Sequence, residues 1–196
     1  MFGKIIISGE RDTEFGEICE STIGLTYKPS NTSDDGIIVL RSGNIKNSEL
    51  QIKDDIVRVK GIEIPPEKFV RDLDVLMCAR NGSSRLVGKT CIIHSPKEPM
   101  SFGAFMSVIR TKYPYILHHF MNSDHFRVQL KTTQTASVNQ ITNGMLKKYK
   151  IFKPTYQEEL IFRSFVERVD KLKFNVQKRI EYYRELLNKK MDEYFN

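Results

Sequence analysis

No stretch of this 196-residue sequence is apolar for long enough to cross a bilayer as a helix. The short run Ile5-Ile6-Ile7 is followed at once by Glu10, Arg11, Asp12, Glu14 and Glu17, a density of charge that a secretory signal does not carry. Cysteine is scarce. Cys19, Cys78 and Cys91 are an odd number set among apolar residues, which argues against a disulfide framework and reads as buried thiols in a reducing compartment. The expectation is a cytoplasmic protein with no membrane partner.

Signatures of catalysis are missing as well. ARNGSSRLVGKT (79–90) approaches a phosphate-binding loop, but Gly82 stands one position too early for Gly88-Lys89-Thr90. Thr90 then runs into Cys91-Ile92-Ile93-His94, a strand, where the motif needs a helix N-terminus to hold the phosphate. There is no G-x-G-x-x-G. IPPE (64–67) lacks the polar residue before its prolines and the aromatic after them that an amino-methyltransferase tetrapeptide has. No Asp or Glu stands two places before a Lys, so the E-x-K signature of many metal-dependent nucleases is absent. His118, His119 and His125 fall in one expected helix at a spacing that matches no common zinc pattern, although His118 and His125 would share a face. These absences point away from an enzyme and from a metal or cofactor held by this chain.

What the chain has is positive charge, +7 net, with 40% hydrophobic and 28% charged residues. That balance suits a packed domain with a polyanionic partner or a basic surface. The pattern predicts a short helix at 14–21, capped by Thr13, and a turn-rich loop over 24–36. Strands are expected at 37–40, 55–59, 75–78, 86–93 and 105–109, each bounded by Gly, Pro, Asn or Asp. Pro114 at a helix N1 position opens an amphipathic helix over 115–130, and a short strand follows at 149–152. The fold class expected for residues 1–155 is therefore α+β, a mixed, β-rich domain with peripheral helices.

From 157 to 196 there is neither Gly nor Pro, and the whole of 156–196 reads as one long C-terminal helix. Apolar residues recur there in steps of 4, 4 and 3, through Ile161, Phe165, Val169, Leu172, Val176, Ile180, Tyr183, Leu187, Met191 and Tyr194. Steps of 4, 4 and 3 make an eleven-residue period, about 3.67 per turn, which keeps the stripe on one face of a nearly straight helix. About 40 residues rising ~1.5 Å each make a rod of roughly 60 Å. One domain cannot cover such a stripe along its length, so the helix is expected to serve dimerisation in a coiled coil through Phe165, Val169, Leu172, Val176, Ile180, Tyr183 and Leu187. A helix folded back on its own domain is the alternative.

Three segments collect Arg, Lys, Asn, Gln, Ser and Thr without forming a charge run: LRSGNIKN (40–47), ARNGSSRLVGK (79–89) and KTTQTASVNQ (131–140). Arg, Asn and Gln make the paired hydrogen bonds that distinguish bases, which marks Arg41, Asn44, Arg80, Asn81, Arg85, Asn139 and Gln140 as candidates for base or near-base contact. Ser83 and Ser84 are adaptable partners, and Lys46, Lys89 and Lys131 are single-point cations suited to phosphates. The other reading of all three segments is solvated connections.

GLTYKPSNTSDDGIIVLRSGNI (24–45), DLDVLMCARNGSSRLVGKTCII (72–93), TASVNQITNGMLKKYKIFKPTYQEELIFRSF (135–165) and the terminal helix, in that order, resemble one half of the specificity (S) subunit of type I restriction-modification systems. The resemblance implies a target recognition domain over 1–155 that binds double-stranded DNA, and a conserved long helix over 156–196 for assembly. A full subunit repeats this unit twice, with two antiparallel helices holding apart the domains that read a bipartite site. Methyltransferase (M) subunits carrying S-adenosylmethionine, and a restriction (R) subunit using ATP and Mg²⁺, are the implied partners, together with a second copy of this chain or another half-subunit. The chain itself would hold no cofactor. Pro154 and Glu158 match the family's helix entrance, while Glu159 stands where a Gln is usual and Thr135 where a Gly is. MFGK at the start resembles the residues after the conserved helix in full-length members, so the chain reads as a natural half-subunit, an internal-start product or an expression fragment. An interaction module or assembly inhibitor that keeps the helix but does not read DNA is the rival interpretation.

Overall fold

A computed structural model describes residues 12–53, 56–133 and 139–195. The expected residue 55 of the 55–59 strand and residues 134–138 of the third polar segment lie outside these. Two compact units are present, Met1–Tyr156 and Gln157–Asn196.

In the first unit β1 (Asp12–Glu14), a single-turn α1 (Phe15–Ile18) and β2 (Cys19–Ile23) lead into the short β3 (Thr32–Ser33) and then β4 (Ile37–Leu40). A small hairpin, β5 (Ile45–Lys46) and β6 (Glu49–Leu50), precedes β7 (Arg58–Val59), β8 (Val75–Cys78) and β9 (Thr90–Ile92). Next come β10 (Met100–Phe102) and β11 (Met106–Thr111), then α2 (Pro114–Met121), α3 (Asp124–Thr133), α4 (Asn143–Lys148) and β12 (Lys150–Phe152). The second unit is α5, whose helix runs Tyr156–Phe195.

Two four-stranded sheets carry the first unit, ordered β10-β4-β7-β3 and β2-β11-β8-β9. The second is antiparallel throughout, whereas β10 runs parallel to β4 in the first. Period-two alternation sorts the side chains of β4: Ile38 and Leu40 enter the main core with Leu76, Cys78, Cys91, Phe102 and Val108, while Val39 joins a satellite cluster with Leu25 and Val59. β8 is buried at all four positions because β11 and β9 flank it and both of its faces are covered. A second packing centre is aromatic. Phe15, Phe120, Phe126 and Tyr149 meet in stacked, tilted and edge-to-face pairs at centroid distances of 5.2 to 6.5 Å, which fastens α1, α2, α3 and the end of α4 to one another.

Several expectations are corrected. Residues 14–21 are not one helix: α1 stops after a turn, and β2 pairs with β11 through Ser21, Thr22 and Ile23, so sheet pairing overrides the local helical pattern. The 115–130 helix is two, broken at Asn122-Ser123. There Asn122 Nδ2 donates to the His118 carbonyl at 2.9 Å and Ser123 Oγ to the Phe120 carbonyl at 2.6 Å, so side chains compete with the helix for its carbonyls. The break puts His118 and His125 on different helices, and they do not share a face. The 86–93 strand shortens to Thr90–Ile92, because Ser84–Leu86 forms a 3-10 turn and Gly88 takes φ +81°, where a Cβ would also meet Leu130 at 2.9 Å.

Candidate nucleic-acid interface

The polar segments that are far apart in sequence meet at one end of the second sheet. Asn81 Nδ2 donates to Ser42 Oγ at 3.1 Å, and Lys89 Nζ donates to the Ile45 carbonyl at 2.7 Å, so the 79–89 loop is tied to the 41–46 segment at two points. Arg80 bridges to Gln140, the Ile141 N–H donates to the Ala79 carbonyl at 2.7 Å, and Asn139 Nδ2 donates to the Gly82 carbonyl at 3.0 Å. α3 leans on the same loop through Arg127 Nη1, which donates to the Val87 carbonyl at 2.7 Å, and it carries an exposed Lys131 on its last turn.

A fourth segment belongs here that sequence reasoning missed. Between β10 and β11 the chain passes from one sheet to the other in a tight turn, Gly103–Met106, closed by the Met106 N–H donating to the Gly103 carbonyl at 2.8 Å. The Phe105 carbonyl accepts from the N–H groups of both Ala79 and Arg80, at 2.9 and 3.0 Å. The opposite side of the turn presses on Gly24, where a Cβ would lie 2.2 Å from the Gly103 oxygen. The Arg80 guanidinium carbon lies 5.3 Å from the centroid of the Phe105 ring. Beside the turn is a cleft of about 560 Å³ lined by Leu25, Thr26, Tyr27, Arg41, Ser42, Gly43, Gly103, Ala104, Phe105 and Met106.

Glu49 faces Lys46 across the β5–β6 hairpin and Arg110 is paired with Asp74, but the loop stretches themselves are free of carboxylates. The stretches 40–48, 79–97, 100–111 and 139–149 contain Arg and Lys but no Asp or Glu. Lys46, Arg80, Ser84, Arg85 and Asn139 are exposed, and Arg41, Asn81, Ser83, Lys89 and Gln140 are half-buried.

Asn44 is corrected. It is 4% exposed, its Nδ2 donates to the Gln51 carbonyl at 3.1 Å and its Oδ1 accepts from the Arg41 N–H at 2.8 Å, so its amide shapes the turn and faces no ligand. Asn81 is engaged at both ends, since its Oδ1 also accepts from the Ser83 N–H at 3.0 Å. Lys89 serves as a tie between loops.

Burial shifts three thiols and one imidazole of the first unit away from neutral pH. Burial pushes the Cys91 thiol up to about 12, and burial with the neighbouring Glu20 does the same to Cys19. Cys78 is raised for the same first reason. His118 Nδ1 lies 2.9 Å from Thr90 Oγ1, and burial, then His119 and His94, depress its pKa to about 3. Among the described residues no group of three or more His, Cys, Asp or Glu side chains is placed to hold a metal.

In α5, taken by itself, the apolar stripe is open to solvent. Leu172, Val176, Tyr183 and Leu187 are 64%, 55%, 56% and 61% exposed, Phe165 and Ile180 are exposed too, and Val169 is half-buried. Lys173 pairs with Asp170, and Lys190 with Glu193, on the charged surface of the helix.

No family model and no curated protein matches the sequence. Solved structures do. A chain from a structure of type I restriction-modification complex assembly superposes with a TM-score of 0.67 at 14% identity, covering 91% of this chain and 44% of that one. The HsdS subunit from Thermoanaerobacter tengcongensis gives 0.63 at 14% identity, covering 90% and 43%. The S subunit of the type I restriction-modification system from M. genitalium gives 0.53 at 12%, covering 89% and 44%. The chain has the fold of one half of a type I S subunit. It spans about 44% of the length of the structures it matches.

Proposed function

We propose that this chain is a DNA sequence-recognition module of a type I restriction-modification complex. It reads one part of a bipartite site and directs separate methyltransferase and restriction subunits to it. The observation that carries this reading is the convergence of four carboxylate-free segments at one end of an S-subunit fold. Exposed Arg80 and Arg85 supply forks for base edges, Lys46 and Lys131 supply charge for phosphates, and the ties made by Asn81 and Lys89 hold the loops in one arrangement before DNA arrives. Catalysis, with S-adenosylmethionine, ATP and Mg²⁺, belongs to the partner subunits.

The long helix pairs with a second copy. The 4-4-3 spacing reads the same in both directions about Val176, which is also the middle of Tyr156–Phe195. Antiparallel pairing about that residue sets Phe165 beside Leu187 of the second copy, Val169 beside Tyr183 and Leu172 beside Ile180. Shifting the pair by one eleven-residue repeat restores the spacing but shortens the overlap to between 28 and 30 of the 40 residues. Two recognition domains at the ends of such a pair form the two halves of a split reader.

Methyltransferase subunits reconstituted with and without this chain test the proposal through transfer of labelled methyl groups from S-adenosylmethionine to genomic DNA. Transfer to a defined set of sites only when the chain is present supports it. Equal transfer without the chain contradicts it, and suppressed transfer points to an assembly inhibitor.

A further inference from the structure

Phe105 is the only aromatic side chain among the exposed large hydrophobics outside α5 in the described residues, and it is 58% exposed. A single exposed apolar residue is ordinary on a protein surface. This one differs in how it is held. Its carbonyl accepts two backbone hydrogen bonds from Ala79 and Arg80, its turn is closed by the Met106 N–H, and Gly24 packs against Gly103 too closely to admit a side chain. The ring therefore stands on a hydrogen-bonded backbone and lines the cleft, with the Arg80 guanidinium carbon over it at 5.3 Å. A guanidinium held over an aromatic face keeps its N–H groups for other acceptors, so ring and fork present an apolar contact and a bidentate donor side by side. In the major groove that combination matches one base chemistry, the thymine C5-methyl next to guanine O6 and N7.

We infer that Phe105 is a specificity-determining residue that packs against a thymine methyl group while Arg80 reads an adjacent guanine. This inference rests on the DNA-recognition reading above and adds a residue and a base preference to it. The surrounding segments supply charge complementarity, since no carboxylate lies in 79–97 or 100–111 to repel a phosphate.

The chain assembled with methyltransferase subunits would be used to select from a randomised duplex library. Phe105→Ala and Phe105→Leu would be run beside the unaltered chain, and thermal unfolding would be compared for all three. The exposed ring permits folding in both variants, and the backbone hydrogen bonds do not depend on it. The expected result is a selected motif in which Phe105→Ala loses the thymine preference at one position and keeps the others, with Phe105→Leu intermediate. Replacing that thymine by deoxyuridine, which removes the methyl alone, should weaken the unaltered chain about fourfold, the value of ~0.8 kcal/mol for one buried methyl-sized group, and leave Phe105→Ala unchanged. A sharp motif that is identical in Phe105→Ala, or insensitive to deoxyuridine, overturns this inference alone. Absence of any selected motif with the unaltered chain overturns the DNA-recognition reading and this inference with it.

Discussion

Replacing Val176 by Asp is expected to separate two paired copies without disturbing the recognition unit. Val176 is 55% exposed in the single chain, so roughly half of the 1.5–3 kcal/mol for burying such a side chain, about 1 kcal/mol, remains to be gained on pairing. In the proposed register Val176 sits on the two-fold axis and meets itself, so one substitution acts twice and removes about 2 kcal/mol. Two carboxylates brought within about 5 Å at an effective dielectric of about 20 add roughly 3 kcal/mol of repulsion. The sum, about 5 kcal/mol, raises the dissociation constant by three to four orders of magnitude. Sedimentation equilibrium over micromolar concentrations measures this directly. Mixing Val176→Asp with Val176→Lys restores association, because unlike charges then face each other on the axis, while each variant alone stays monomeric. Pairing about Val176 is excluded if the unaltered chain is monomeric at tens of micromolar, if Val176→Asp associates as tightly as the unaltered chain, or if the Asp and Lys variants fail to pair.

Acid should destabilise the first unit through His118. Its folded pKa of about 3 lies below the ordinary 6.5, so the unfolded chain takes up the proton first; the stability is fully present above pH 6.5 and is lost as pH falls from 6.5 toward 3, at about 1.4 kcal/mol per pH unit. Urea midpoints at pH 7 and pH 4.5 measure the loss, and His118→Gln should flatten the dependence. In the assembled complex Arg80→Ala should weaken cognate DNA by about 1–3 kcal/mol and relax one position, whereas Lys46→Ala should weaken all sequences alike and lower the salt slope by about one. Titrations on cognate and scrambled duplexes at two salt concentrations separate the two, and equal losses on both duplexes for both variants would remove Arg80 from the readers.

Legibility in the sequence followed the length of each element and the number of jobs its residues could do. α5 was readable because forty residues without Gly or Pro repeat one apolar spacing. Ile37–Leu40 and Val75–Cys78 were readable as apolar runs bounded by turn residues. Strands of two residues, such as Thr32–Ser33 and Ile45–Lys46, are too short to display any period. β2 was hidden because Glu20, Ser21 and Thr22 make no apolar alternation, and only its pairing with β11 fixes it as a strand. The polar loops announced themselves by composition, but composition did not distinguish an exposed Asn such as Asn139 from one that closes a turn, as Asn44 does. Phe105 was concealed for the opposite reason: in GAFMSVI it looks like the first residue of a buried strand, and only the turn at Gly103–Met106 brings it to the surface.

A chain that decides where a methyltransferase acts, as proposed, changes the modification pattern of the genome when it is removed. The decisive measurement is long-read mapping of modified bases in cells with the gene, without it, and with Val176→Asp in its place. The expected result is one modified bipartite motif whose halves are inverted repeats, as two identical readers in an antiparallel pair require, present with the gene and absent both without it and with Val176→Asp. A modification pattern that is unchanged when the gene is removed would contradict it.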